Sequence, residues 1–150
     1  MESHLSALRL ATLEQRHFQL HSTALEQLTE HLNGLDALCR TLGVTPLSRF
    51  VDPTALEFAE ASRLLPAEER GPLIPDGETG LAWGIEDMAW FPASTGMTTL
   101  EALSAYLQRN RPRELTGARH PQLLADLAFC ESCLGPLEAE GGQFHLAAGH

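Results

Sequence analysis

The leucines of this chain recur at intervals of three and four residues, which is the spacing of one helical face. Residues 24–32 show this spacing first, and Asn33-Gly34 then supplies a stop signal. A second apolar stripe over residues 35–42, which includes Cys39, predicts a second short helix or a kinked continuation of the first. The chain is therefore expected to be helical soon after its first twenty residues.

Further helix starts are marked by a capping residue followed by proline, because the missing N–H of proline costs nothing at the first helical position. Two such pairs occur, and two later stretches also carry apolar residues at helical spacing. The pairs are Thr45-Pro46 and Asp52-Pro53, and the second pair begins a predicted helix over residues 53–64. The two later stretches are residues 99–110 and residues 120–137. These features predict five or six helices in all.

The two ends of the chain carry the only signals for β-structure. Residues 5–21 lack Gly and Pro and allow a helix, which is the preferred interpretation, but short apolar and polar alternations within them also fit a β-hairpin. Residues 143–147 could form one short strand, and residues 71–80 are rich in Gly and Pro and predict a long loop. The expected fold is a mainly α, single-domain helical bundle over residues 1–150, with room for one or two short strands near residues 8–20 and 143–147.

Charge narrows the classes of partner. The chain has 150 residues, a formal net charge of -10 and no lysine, and residues 51–100 hold nine of its 20 acids with only two arginines. Because nucleic acids and anionic membranes are polyanions, general binding to either is not expected. The absence of a secretory signal, of a long apolar run and of an even cysteine set predicts a soluble cytoplasmic protein.

An aromatic segment lies inside this acidic region. Trp83, Trp90 and Phe91, with Glu86 and Asp87 beside them, fit an apolar surface with an acidic rim, which is how protein interfaces are built. Burial of both tryptophans in the core is the alternative, and it is preferred because tryptophan is usually largely buried.

A positive counterpart follows at residues 109–119, where four arginines stand against one glutamate. The arginines are Arg109, Arg111, Arg113 and Arg119. Guanidinium groups suit carboxylates and phosphates, so this patch could bind an anion or an acidic partner, but a solvated loop is the preferred interpretation because a run of charges alone fixes no geometry.

The strongest chemical motif is the pair Cys130 and Cys133, which could chelate zinc together with His120 or His145, or form a redox disulfide. A second cysteine pair is missing and Cys130 lies on the apolar seam of its helix, so structural thiols are the preferred interpretation, with no cofactor.

Another pair, His17 and His21, could chelate a metal if residues 10–22 are helical, because helical spacing would place both imidazoles on one face. Solvated or capping histidines are the preferred interpretation, because no complete ligand set accompanies them. No nucleophile elbow, phosphate loop or dinucleotide motif is present, so an enzyme is not indicated.

The functional hypothesis follows by elimination. The chain is interpreted as a non-catalytic protein-binding module, for example an immunity-like or anti-factor-like neutraliser of a basic partner. The alternatives are a metal-binding or thiol-redox protein that uses Cys130 and Cys133, and a small-molecule site lined by Trp83, Trp90, Phe91 and Tyr106. Homodimerisation is compatible with the leucine-rich seams.

Overall fold

The structure is a computed structural model that describes residues 7–66 and 74–148, and its organising element is a five-stranded sheet. The strands are β1 (Arg9–Glu14), β2 (His17–Leu20), β3 (Val51–Asp52), β4 (Phe91–Pro92) and β5 (Gln143–Ala147). The helices are α1 (Glu26–Glu30), α2 (Leu32–Leu42), α3 (Thr54–Arg63), α4 (Ala93–Leu107) and α5 (His120–Ala139).

Strand β5 is the centre of the sheet. It pairs antiparallel with β1 on one side, while on the other side its ends pair with β3 in parallel and with β4 antiparallel. Strand β2 completes a hairpin with β1 through the two-residue turn Gln15-Arg16, in which Gln15 has a φ of 58°. The order β2-β1-β5-β3 leaves β2 at an edge of the sheet.

The two faces of the sheet have different covers. One face, which carries Leu10, Phe144 and Leu146, belongs to the main hydrophobic core together with α1, α2, α4 and α5. The other face carries Phe18 and His145, because successive side chains of a strand point to opposite faces of the sheet. This second face is covered by α3 and residues 81–88.

The predicted mainly α helical bundle with at most one or two short strands is therefore wrong, because the described residues form a mixed α/β fold with a five-stranded sheet. The preferred helix over residues 5–21 is also wrong: residues 9–20 form the β1–β2 hairpin, which was the competing interpretation. The reason is long-range, since β1 forms the sheet with β5, about 130 residues later. The strand expected at residues 143–147 is present as β5.

Most predicted helices are present, with shifted limits. Helix α2 runs through Asn33-Gly34, and glycine is needed there because a Cβ at Gly34 would lie 2.5 Å from the carbonyl oxygen of Glu114. The start at Thr45-Pro46 gives only a short 3-10 turn at Leu47–Phe50. None of the described helices is long and apolar enough to cross a membrane.

Candidate functional site

The acidic region predicted from the sequence covers the face of the sheet that carries His145. We call residues 53–66 and 74–90 the acidic layer, because they contain six carboxylates and one arginine. Its two parts are joined by a contact between the Phe58 and Trp83 rings, whose centroids are 5.2 Å apart, and by a hydrogen bond from Thr54 Oγ1 to the carbonyl oxygen of Asp87 at 3.2 Å.

An arginine of the hairpin turn holds this layer in place. Arg16 donates to Glu86 at 2.6 Å and to both carboxylate oxygens of Glu78, with its Nε 2.9 Å from Glu78 Oε2. The hydrogen bond from Arg16 lowers the pKa of the Glu86 carboxyl group below its ordinary value. Asp87 accepts from the backbone N–H of Gly84 at 2.8 Å. The predicted rim residues Glu86 and Asp87 are exposed, but both already have internal partners.

The predicted aromatic surface is divided between the two faces of the sheet. Trp90 packs on the His145 ring at 4.4 Å and donates its Nε1–H to the carbonyl oxygen of Ile85 at 2.9 Å. Phe91 instead packs against Phe50 and the main core. Trp83, Trp90 and Phe91 are all half-buried, so they anchor the acidic layer to the sheet more than they present a surface.

Beneath Trp90 lies a buried polar centre on the same face. His145 Nδ1 lies 2.9 Å from the carbonyl oxygen of Ala89, and Asp52 Oδ2 lies 3.8 Å from His145 Nε2. Asp52 Oδ1 accepts from Thr54 Oγ1 and from the backbone N–H of Ala89, both at 2.9 Å. The adjoining cavity has a volume of about 10 Å³, which is room for one water molecule and not for a larger ligand. The hydrogen bonds of Asp52 and His145 to the backbone of Ala89 instead fasten the acidic layer to the sheet.

A small-molecule site between the predicted aromatic residues does not form. Trp83 and Trp90 lie on the acidic-layer side of the sheet, whereas Phe91 and Tyr106 pack against the main core.

The exposed apolar residues lie elsewhere in the acidic layer. Among the described residues, large apolar side chains are exposed only at Leu56 (45%), Leu64 (77%), Leu65 (44%) and Ile74 (82%). Helical spacing would place Leu56 and Leu64 on the apolar face of the helix predicted over residues 53–64, but both are exposed. The buried face of α3 carries Ala55 and Phe58, which turns Leu56 outward.

The arginine patch lies around the link between α4 and α5. Arg109, Arg111, Arg113 and Arg119 are all exposed, and no carboxylate in the described ranges forms an ion pair with them. Arg111 Nη1 lies 2.9 Å from His120 Nε2. Because all four side chains are exposed, the structure adds nothing specific to the anion-binding hypothesis.

The predicted zinc ligands do not come together. Cys130 is buried in the main core, where burial raises the pKa of its thiol far above the ordinary value. His145 lies across the sheet from that core, and His120 contacts the carbonyl oxygen of Leu107 at the start of α5. Within residues 7–66 and 74–148, no three metal-ligating side chains of one chain form a metal site.

Cys133, by contrast, opens into a groove of about 160 Å³ that we call the hairpin groove. Its walls come from the exposed end of the β1–β2 hairpin and from the last turns of α5. They are Thr12, Glu14, His17, Gln19, His21, Cys133, Pro136 and Leu137. Cys133 Sγ lies 4.0 Å from His21 Nδ1, and His21 Nε2 lies 3.2 Å from Thr12 Oγ1.

The sequence analysis named His17 and His21 but paired them on a helix, where they would be close. In the hairpin both lie on the same side of the chain as Gln19, four residues apart along an extended strand, so one metal ion cannot bind both. The alternation of polar residues 17, 19 and 21 with Phe18 and Leu20 is typical of a strand, and it is the sequence feature that could have predicted this polar groove.

Comparison with known proteins gives no functional information: no family model, curated protein or solved structure shows significant similarity to the chain. The fold class is mixed α/β, and function must be argued from the surface itself.

Proposed function

We propose that the chain is a non-catalytic protein-binding module whose acidic layer recognises a partner with a basic surface. The observation that carries the proposal is the position of the exposed apolar side chains. All four large ones among the described residues lie in the acidic layer, at Leu56, Leu64, Leu65 and Ile74.

The physical argument concerns the cost of this exposure. Apolar side chains in water oppose solubility and contribute nothing to folding, whereas an interface that covers them gains about 25 cal/mol per Å² of apolar area. Leu64 follows the C-terminal end of α3, where it can enter a complementary depression of a partner. Leucines within a charged surround match the apolar core and polar rim of protein interfaces.

Charge identifies the kind of partner. The acidic layer carries six carboxylates against Arg63, and even with Arg16 bound to Glu78 and Glu86 its charge remains strongly negative. Such a surface attracts a basic protein and speeds its association at low ionic strength. A small neutraliser that covers a basic toxin or factor is one concrete form of this function.

The test has two stages, capture and reconstitution. The wild-type chain and the variant Leu56→Ser/Leu64→Ser are used to capture proteins from cells of the source organism, with Thr98→Ala on the exposed side of α4 as the control. Any protein whose capture depends on the leucines is purified, and its dissociation constant is measured by calorimetry at two salt concentrations.

We expect a basic partner that the double variant binds at least about tenfold more weakly, a loss of about 1.4 kcal/mol, while the control binds normally. Binding should also weaken as salt rises. A partner that binds the double variant and wild type equally, an affinity independent of salt, or no protein that depends on the two leucines would each overturn the proposal.

A further inference from the structure

The hairpin groove lies beside a sheet edge that carries unpaired backbone groups. The backbone N–H of His21 donates to the carbonyl oxygen of Leu10 at 2.9 Å, which identifies the pair as hydrogen-bonded. Because hydrogen-bonded and non-hydrogen-bonded pairs alternate in an antiparallel ladder, Phe18 and Leu20 direct their N–H and C=O groups away from β1. Within the described chain these groups have no hydrogen-bond partner.

This edge is suited to pairing with a second copy of itself. Strand β2 is only four residues long, and the segment His17–Leu20 has no lysine, no proline and no inward-pointing charge, which are common protections of an edge strand. In an antiparallel pair of two β2 strands, Phe18 of one copy would exchange hydrogen bonds with Leu20 of the other. Gln19 would then face its own symmetry equivalent, and His17 would lie directly opposite His21 of the second copy.

That register would complete a set of metal ligands that one chain holds only in part. His21 and Cys133 are already adjacent, with their N and S atoms 4.0 Å apart. Tetrahedral zinc with bonds of about 2.3 Å to sulfur and about 2.0 Å to nitrogen places such atoms about 3.6 Å apart, so a small side-chain movement suffices. The imidazole of His17 from the second copy supplies a third ligand, and water or Glu14 of that copy a fourth.

The surroundings of His21 favour this role. Its Nε2 lies 3.2 Å from Thr12 Oγ1, and donation of the Nε2 proton to that oxygen leaves the Nδ1 lone pair directed at Cys133. Metal-binding imidazoles are commonly oriented by such a hydrogen bond on their other nitrogen.

We infer that two copies of this chain pair through β2 and bind zinc, each site formed by Cys133 and His21 of one copy and His17 of the other. The Cys133 thiol transfers its proton to solvent as the sulfur binds the metal, so affinity rises with pH. A two-fold dimer contains two such sites. The inference is independent of the protein-binding proposal, because the hairpin groove lies on the opposite face of the sheet from the acidic layer.

Complementation between variants tests the split site directly. His17→Gln and Cys133→Ser each remove one ligand from both sites of a homodimer. When the two variants are mixed, the heterodimer regains one complete site, made of Cys133 and His21 from the first variant and His17 from the second. His120→Gln, outside the groove, is the matched control.

The measurements are analytical ultracentrifugation and metal content on untagged protein, with ZnCl₂ or with chelator. Cobalt replaces zinc in a parallel series, because a thiolate-to-cobalt absorption band reports sulfur ligation. We expect wild type and the control to dimerise with one zinc per chain. Each single variant should remain monomeric, and the mixture should recover about half of the wild-type zinc, because each heterodimer has one complete site.

Three results would overturn the inference. They are a wild-type chain that stays monomeric and metal-free with excess ZnCl₂, zinc binding that survives in either single variant, and single variants that fail to complement although circular dichroism shows both to be folded.

Discussion

Replacement of Gly96 by alanine should destabilise the protein, although glycine is a poor residue inside a helix. Gly96 lies in the first half of α4, which packs against α5 and β5. A Cβ at this position would meet the ring of Phe144, with Cε1 at 2.5 Å, and Leu134 Cδ1 at 3.1 Å. Both neighbours are buried, so neither can move into solvent.

Two opposing contributions set the size of the effect. Alanine gains about 1 kcal/mol over glycine from helix propensity. Against this, carbon atoms pack comfortably at about 3.5–4.0 Å, so the Phe144 ring must retreat by about 1 Å. Added volume in a packed core typically costs about 1–3 kcal/mol and more when the clash is severe. We expect a net loss of about 1–2 kcal/mol, or about 2–8 °C in melting temperature.

Urea denaturation followed by circular dichroism measures the change, and a double-mutant cycle with Phe144→Leu assigns its cause. The smaller leucine leaves room for the new methyl group, so Gly96→Ala should become neutral or stabilising in that background, with a coupling energy of about 1 kcal/mol or more. Stabilisation by Gly96→Ala alone, or an equal cost in both backgrounds, would refute the reasoning.

Three further predictions concern charge and burial. Asp52→Ala should cost about 1–3 kcal/mol in urea denaturation because it leaves the Ala89 N–H without its acceptor, and Asp52→Asn, which keeps an acceptor oxygen, should cost less. Arg16→Gln should lower the melting temperature at low salt only; a difference that persists in molar salt would show that Arg16 acts by packing. Burial raises the pKa of the Cys39 thiol from 9.0 to about 11. Between pH 9 and 11 the unfolded chain therefore binds fewer protons than the folded chain, so the free energy of unfolding should fall as the pH rises through this interval. Cys39→Ala should flatten that fall, and an unchanged pH profile would contradict the assigned cause.

The helices were predictable where their signals are local. The start signal Asp52-Pro53 located α3 and the leucine spacing located α5, because a helix closes its hydrogen bonds within a few residues. The hairpin could not be assigned in the same way, since residues 9–14 are also compatible with an amphipathic helix. Residues 9–14 form a strand because they pair with β5, and the local sequence pattern does not predict this pairing.

The candidate surfaces were predictable in composition but not in arrangement. The acidic region was evident from charge, yet the clamp of Arg16 on Glu78 joins positions 62 residues apart, which no spacing rule reveals. Likewise the contact between His21 and Cys133 spans 112 residues. The tryptophans were predicted to matter because they lie together in the acidic region, but only the fold shows that Trp90 packs on the buried His145.

The central place of β5 has a consequence for synthesis of the protein. Strands β1, β3 and β4 all pair with residues 143–147, and these three strands do not pair with one another. While a ribosome is still translating the preceding region, the hairpin and the early helices lack the strand that unites them. The sheet can close only after residue 147 has emerged. Until then the edge of β1 that pairs with β5 exposes unpaired backbone N–H and C=O groups, which are able to pair with another chain.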